Sequence, residues 1–383
     1  MAQSILIIGA YGMAGRALSR AVLQHLDAHL IITGRDSTKL DAFSNQLKEE
    51  FPDRDHLHFV LDATHRESLL NALNKADLVI VAATIPDHIE LIAECAILTN
   101  TNVMDIFVRN DVIDRLEKFD PVLIENGRVY FTQCGFHPGI IAPLIKYLSP
   151  YFDQYHSAKV AMAMEPVFEK PDAVQELIFE MFETNPTVLR DGTWFEATYN
   201  ETYKADFSPY FGTRTCYPLH MQEISHLNLS LGLKEAGVYA AGFSTFIDYI
   251  VFPTAMLIGK FNTKLAEKVG SWMMYKASKK YQDHKLRVEL ILKAKGVKEG
   301  IEREVELRLT ADDGYVLTAI PLISLIKQCE SLSPKPIGLH LMGESLLEKP
   351  MIEDLKEAGI QIEIINKEGF LEPEDFEFAP SSL

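Results

Sequence analysis

From residue 4 to about residue 136, short apolar runs alternate with helix-length amphipathic segments. Ile5–Ile8, His29–Thr33, His58–Leu61, Leu78–Ala82, Asn102–Ile106 and Val129–Thr132 read as strands, and segments such as Lys39–Glu50 and Asp87–Leu98 read as helices between them. The strands are rich in Val and Ile and do not alternate cleanly, so both of their faces are expected to be buried. That is the pattern of a doubly wound parallel sheet. After residue 150 the pattern changes. His156–Met164, Leu286–Ala294 and Glu302–Thr310 alternate, and the last two bracket the turn-rich GVKEG as a hairpin. Asp191 and Gly192 read as another hairpin turn. Long strands with one wet face predict a separate α+β domain with a largely antiparallel sheet. A helix follows at Tyr315–Cys329, then a helix and a strand within Met351–Glu363, then an acidic, Pro-containing tail, EGFLEPEDFEFAPSSL. The predicted division is a nucleotide-binding domain over 1–136, a substrate and dimerisation domain over 137–335, and a C-terminal segment over 336–383 that returns to the first domain.

One stretch, Gly242–Gly259 (GFSTFIDYIVFPTAMLIG), approaches membrane-spanning length but contains Asp248 and Pro253. It is expected as a buried helix rather than a span, with a helix lying on a lipid surface as the residual reading. The 383 residues carry a formal net charge of -17, which argues against nucleic acid as a partner. Cys95, Cys134, Cys216 and Cys329 are scattered without a C-x-x-C pair, as in a reducing cytoplasmic compartment. No basic leader precedes the first apolar run. His56 and His58 have nothing nearby to complete a metal site, and there is no H-E-x-x-H, no G-x-S-x-G and no ATP-type G-K-[ST].

The chemistry begins at the first turn. SILIIGAYGMAGRALSRAVL places Gly9, Gly12 and Gly15 between a strand and a helix, with Tyr11 and Met13 in the same loop. Gly9 permits the turn, Gly12 lets backbone approach a pyrophosphate, and Gly15 lets the helix sit close to the sheet. The spacing is G-x-x-G-x-x-G rather than G-x-G-x-x-G. The second strand ends TGRDSTK. Arg35, with Ser37, Thr38 and Lys39 beyond it, suits a ribose 2′-phosphate and favours NADP over NAD. Asp36 reads as a helix cap, with contact to the ribose as the alternative. Asp62 either accepts from the adenine amine or is a solvated loop residue. Ala83, Thr84, Ile85 and Pro86 should line the path to the nicotinamide ribose.

At residues 134–139 the chain reads CGFHPG. Together with GAYGMAGRAL, TGRD, YVLTA and the closing GLHLMGESLL and LKEAGI, this resembles the saccharopine dehydrogenase family. The resemblance implies a Rossmann domain plus an α/β substrate domain, a homodimer, and reversible hydride transfer between NAD(P) and a carbon bonded to nitrogen. It implies a small carboxylated amine as substrate. Relatives usually carry Asp where this chain has His137, which points to a different substrate.

At the strand ends facing the cofactor, His137 is the candidate general acid, or else a helix-start residue. Asp105 either orients a partner or caps the next segment, and Cys134 reads as a packing residue. In SPYFGTRTCYPLH, Arg214 is the candidate carboxylate clamp and Tyr210 a pocket wall, with His220 nearby. The expectation is a cytoplasmic NADP-dependent oxidoreductase acting on a CH–NH bond, with no metal and no membrane partner. The alternatives are a C=C or C=O reductase of a hydrophobic or lipid-linked molecule, and a catalytically silent NADP-binding protein.

Overall fold

The computed structural model describes residues 4–164, 174–175, 178–179, 185–198, 200–242, 246–281, 287–366 and 369–370. The chain forms two compact units, Met1–Ile140 with Tyr315–Leu355, and Ile141–Gly314 with the residues from Lys356 on. The sequence division differs at two places. The helix Gly314–Ser331 belongs almost wholly to the first unit, and the strand after Lys356 to the second.

The first unit holds β1 (Ser4–Ile8), β2 (His29–Gly34), β3 (His56–Val60), β4 (Leu78–Val81), β5 (Asn102–Asp105) and β6 (Val129–Thr132). All neighbours pair in parallel. Leu6, Ile8, Val79 and Val81 face a core shared with Leu69, Ile92 and Ala93, and Ile5, Ile7 and Ile80 on the opposite side are equally buried. Burial on both faces is why these runs carry no alternation. The helices α1 (Met13–His25), α2 (Ser37–Glu50), α3 (Arg66–Leu73) and α4 (Ile89–Thr99) connect the strands.

The second unit holds β7 (Gln154–Met164), β8 (Thr187–Arg190), β9 (Thr193–Glu196), β10 (Tyr203–Phe207), β11 (Gly212–Leu219), β12 (Glu235–Ala241), β13 (Val288–Lys298) and β14 (Ile301–Ala311). Next in chain order, β15 (Gly338–Leu341) lies in the first unit and pairs in parallel with β6. Thus GLHLMGESLL supplies a seventh strand to the first sheet, in the order β15-β6-β5-β4-β1-β2-β3. The sequence pattern had shown six. The remaining strands are β16 (Gln361–Asn366) and β17 (Gly369–Phe370). The second sheet runs β10-β11-β12-β7-β13-β14-β16-β17, with β8 against β12 and β9. Its pairs are antiparallel except β12 with β7.

The β13–β14 connection is tighter than the sequence suggests. Only Glu299 and Gly300 turn, both at positive φ (54° and 77°), while Gly296 continues the strand at a register shift against β7. A Cβ at Gly296 would lie 2.2 Å from the Gln154 carbonyl oxygen. Asp191 and Gly192 form the other two-residue turn, at φ 47° and 78°.

Gly242–Gly259 corrects its expectation. Among its described residues, Ile247–Val251 forms a π-helical turn and Phe252–Gly259 an α-helix, followed by the helix Thr263–Tyr281. One side of this helical pair is buried, but Tyr249, Ile250 and Leu257 are exposed. Apolar composition alone does not distinguish a core helix from one with a bare face. No helix among the described residues is long and apolar enough to cross a membrane. The tail from residue 371 lies outside the described residues.

Candidate nucleotide-binding and active site

The site begins where β1 ends. Gly9 turns the chain at φ +84°, and a Cβ there would meet the Ala83 backbone nitrogen at 2.9 Å. At Gly15 a Cβ would lie 2.2 Å from the Gly9 carbonyl oxygen, so α1 can approach the loop only through a glycine. Gly12 differs. Its nearest neighbour to an added Cβ is the Gly9 oxygen at 3.4 Å, so the protein itself hardly requires a glycine there. Gly12 begins α1 without a side-chain cap, and the first turn has no acidic residue. Among the described residues, the N–H groups of Met13, Ala14 and Gly15 find no acceptor. Open donors, a positive helix end and an uncrowded Gly12 are able to receive an anionic group.

Tyr11 reaches across to the end of β2. Its ring occupies the space a Gly34 side chain would fill, with Cε1 at 2.2 Å from the added Cβ. Its hydroxyl accepts from the Asp36 N–H at 3.2 Å. Asp36 caps α2, its Oδ1 accepting from the Lys39 N–H at 3.1 Å, so the cap reading holds. Arg35, Ser37, Thr38 and Lys39 are exposed beside it. At the end of β3, Asp62 Oδ1 accepts from the Thr64 N–H (3.0 Å) and hydroxyl (2.7 Å). These bonds hold its carboxyl below the usual range, and they leave it as the anchor of a turn. After β4, Ala83 abuts Gly9 and Thr84 is exposed.

The exits of β5 and β6 are joined by Asp105. This fully buried carboxylate accepts on Oδ1 from the Phe107 N–H (3.1 Å), the Thr132 hydroxyl (3.0 Å) and the Gln133 N–H (3.1 Å). Its Oδ2 makes no hydrogen bond of ordinary geometry among the described residues, but the buried Tyr130 hydroxyl lies near enough to the carboxylate to interact with it. Burial outweighs these bonds and pushes its pKa up to about 7. Cys134 is fully buried, its thiol raised by desolvation, and it serves packing. The CGFHPG loop then folds on itself. The Gly135 N–H donates to the Pro138 oxygen at 3.1 Å, and a Cβ at Gly139 would strike the Gly135 oxygen at 2.2 Å. Thr318, from YVLTA, packs on Gly135, so two of the motifs quoted above meet here. His137 is partly exposed and lies against Phe136, ring centroids 3.9 Å apart. Desolvation lowers its pKa to about 4. This favours the uncharged ring at neutral pH.

Residues 5–125 match the family described as the saccharopine dehydrogenase NADP binding domain. The fold of the chain is also similar to that of apo saccharopine dehydrogenase (L-Glu forming) from Saccharomyces cerevisiae, at 14% identity, TM-score 0.67, covering 95% of this chain and 99% of that one. An engineered D-amino acid dehydrogenase bound to NADP+ has TM-score 0.51 at 12% identity, covering 93% and 99%. No curated protein matches by sequence. The match over residues 5–125 supports NADP as the cofactor, and the fold of the chain is saccharopine dehydrogenase-like.

In this NADP-binding domain the predicted residues Gly9, Tyr11, Gly12, Met13, Gly15, Arg35, Ser37, Asp62, Ala83 and Thr84 all follow β1 to β4 at the carboxyl edge of one sheet. Asp105 and His137 lie at the β5 and β6 ends of that edge. Sequence reasoning missed Arg109, which is 9% exposed and binds Asp111 through Nε (2.8 Å) and Nη2 (2.7 Å) and Asp87 through Nη1 (3.1 Å). It also missed Arg115, which binds the Pro86 and Asp87 carbonyl oxygens. Together they clamp the loop after β4. Neither had a motif to announce it.

Tyr210 and Arg214 belong to the second unit, around the β10–β11 hairpin. Arg214 Nε donates to the Phe211 carbonyl at 2.9 Å, and its side chain meets no carboxylate among the described residues. His220 is bonded to the Thr187 hydroxyl at 2.9 Å. Tyr210 lies under the Arg287 guanidinium, 3.6 Å from the ring centroid. It lines a cavity of about 330 Å³ with Glu289 and Arg308. Glu289, which the sequence did not single out, is pushed up to about 7 by burial.

Proposed function

We propose that the chain catalyses reversible hydride transfer at the carbon–nitrogen bond of a small carboxylated amine. The observation that carries this reading is the partly exposed His137, set at the β6 exit on the same sheet edge as the glycine loop, in a fold shared with saccharopine dehydrogenase. An imidazolium there would repel an iminium or ammonium group. An uncharged imidazole accepts a hydrogen bond from either and leaves the cation intact.

Met13, Ala14 and Gly15 would hold the diphosphate through backbone N–H groups, and Arg35 with Ser37 the 2′-phosphate. NADPH held there would supply hydride to the carbon of a C=N bond already protonated from solvent as an iminium, giving the amine. His137 binds the substrate nitrogen, and Asp105 is a positioning residue that ties the β5 and β6 exits together.

NADPH consumption with amino acid and 2-oxo acid pairs tests the proposal. The expected result is turnover that His137→Asn lowers by about ten- to a hundredfold while NADPH affinity stays unchanged. A second reading, reduction of a C=C or C=O bond in a hydrophobic molecule, is favoured by the bare apolar helix face. Turnover of enones or ketones with none of the amine pairs would replace the first reading by the second.

A further inference from the structure

The helical pair Ile247–Gly259 and Thr263–Tyr281 has two unlike sides. Inside, Val251, Ala255, Ala266, Met274 and Ala277 are buried, and Val174 and Ile178 join this small core. Its hydrophobic demand is met within the unit. Outside, Tyr249 is 71% exposed, Leu257 61%, Phe261 87% and Trp272 55%, with Ile250 and Leu265 beside them in sequence. Isolated exposed apolar residues are ordinary, but this many large ones in one short segment mark a contact surface.

Charge narrows the partner. The chain as a whole is strongly acidic, yet six lysines and only two acidic residues fall between Phe246 and Tyr281. Lys260, Lys264, Lys268 and Lys276 are exposed. Along Thr263–Tyr281, Leu265, Lys268, Trp272 and Lys276 recur at helical spacing, so apolar and basic residues share one stripe. A second copy docking through the same face about a two-fold axis would bring two lysine-bearing faces together. A lipid surface with anionic headgroups supplies the opposite sign. Neither helix can span a bilayer, but an aromatic and lysine-bearing apolar face suits the headgroup boundary.

We propose that this helical pair docks the protein on an anionic lipid surface, with Tyr249, Leu257, Phe261 and Trp272 entering the acyl boundary and the lysines meeting headgroups. The test is co-sedimentation of the full chain with vesicles of phosphatidylcholine alone and of phosphatidylcholine mixed with phosphatidylglycerol. Binding is expected to the mixed vesicles and to weaken at high salt. The double variant Phe261→Ser/Trp272→Ser and the triple variant Lys260→Glu/Lys264→Glu/Lys268→Glu should each weaken it at least about tenfold. Their NADPH affinity should equal that of the wild type, which shows that they remain folded. No binding to mixed vesicles would overturn the proposal, as would undiminished binding by both variants. A dimer dissociated by the same substitutions would also overturn it, since a second copy would then own the face.

Discussion

Two exits from one sheet handle their polar groups in opposite ways. Where β1 ends, the backbone N–H groups of Met13, Ala14 and Gly15 are left without acceptors among the described residues, and no side chain caps the helix. Where β6 ends, Gln133 and Gly135 direct their N–H groups inward, to Asp105 and Pro138. The first exit leaves main-chain donors open. The second is a closed loop that presents one partly exposed side chain, His137. The first is shaped by where a Cβ is missing, and the second by which groups have lost water.

The sharpest way to break this comparison lies within the glycine loop itself. Gly15→Ala places a Cβ 2.2 Å from the Gly9 oxygen, so both thermal stability and NADPH binding should fall. Gly12→Ala meets nothing closer than 3.4 Å in the protein. It should keep the wild-type melting temperature yet lose NADPH affinity by about a hundredfold or more, because only the bound diphosphate needs that space. Calorimetric titration and thermal melts on the two variants check this. If Gly12→Ala binds NADPH normally, the open N–H groups are not the diphosphate seat.

A smaller effect is expected one strand away. Arg35 is exposed at the start of α2, while Asp36 beside it is held by the cap to Lys39. Arg35→Ala should lower NADPH affinity by about ten- to a hundredfold and leave NADH affinity unchanged. Equal losses for both cofactors would move the 2′-phosphate elsewhere.

The first exit was readable from sequence because its logic is local. Three glycines between a strand and a helix state where backbone must be bare, and Asp36 three residues before Lys39 states a cap. The second exit was readable only as a motif. CGFHPG marks a special loop, but nothing in it says that Asp105, 29 residues before Cys134 in the chain, is fully buried beneath it, or that desolvation takes His137 down to about 4. Those are consequences of packing between distant segments. The same limit applied to β15, a four-residue run whose partner β6 lies some 200 residues earlier. It applied also to Gly242–Gly259, whose apolar residues divide between a core and a bare face.

Asp105 offers the finest test of how the second exit works. Its pKa is raised from 3.8 to about 7, so the folded protein holds a proton that the unfolded chain releases. The stability this contributes is fully present below about pH 4 and is lost as pH rises through about 7. His137 has the opposite sign. Lowered from 6.5 to about 4, it costs stability only as pH falls through that window. Asp105→Asn removes the first trend alone. The amide oxygen can still accept from Phe107, Thr132 and Gln133, and the amide nitrogen replaces an Oδ2 that makes no hydrogen bond of ordinary geometry among the described residues. The variant should therefore melt close to wild type near pH 5 and a few degrees above it near pH 8. A loss of the same size at every pH would mean that the three hydrogen bonds require a carboxylate, and that the loop is organised by charge rather than by its removal from water.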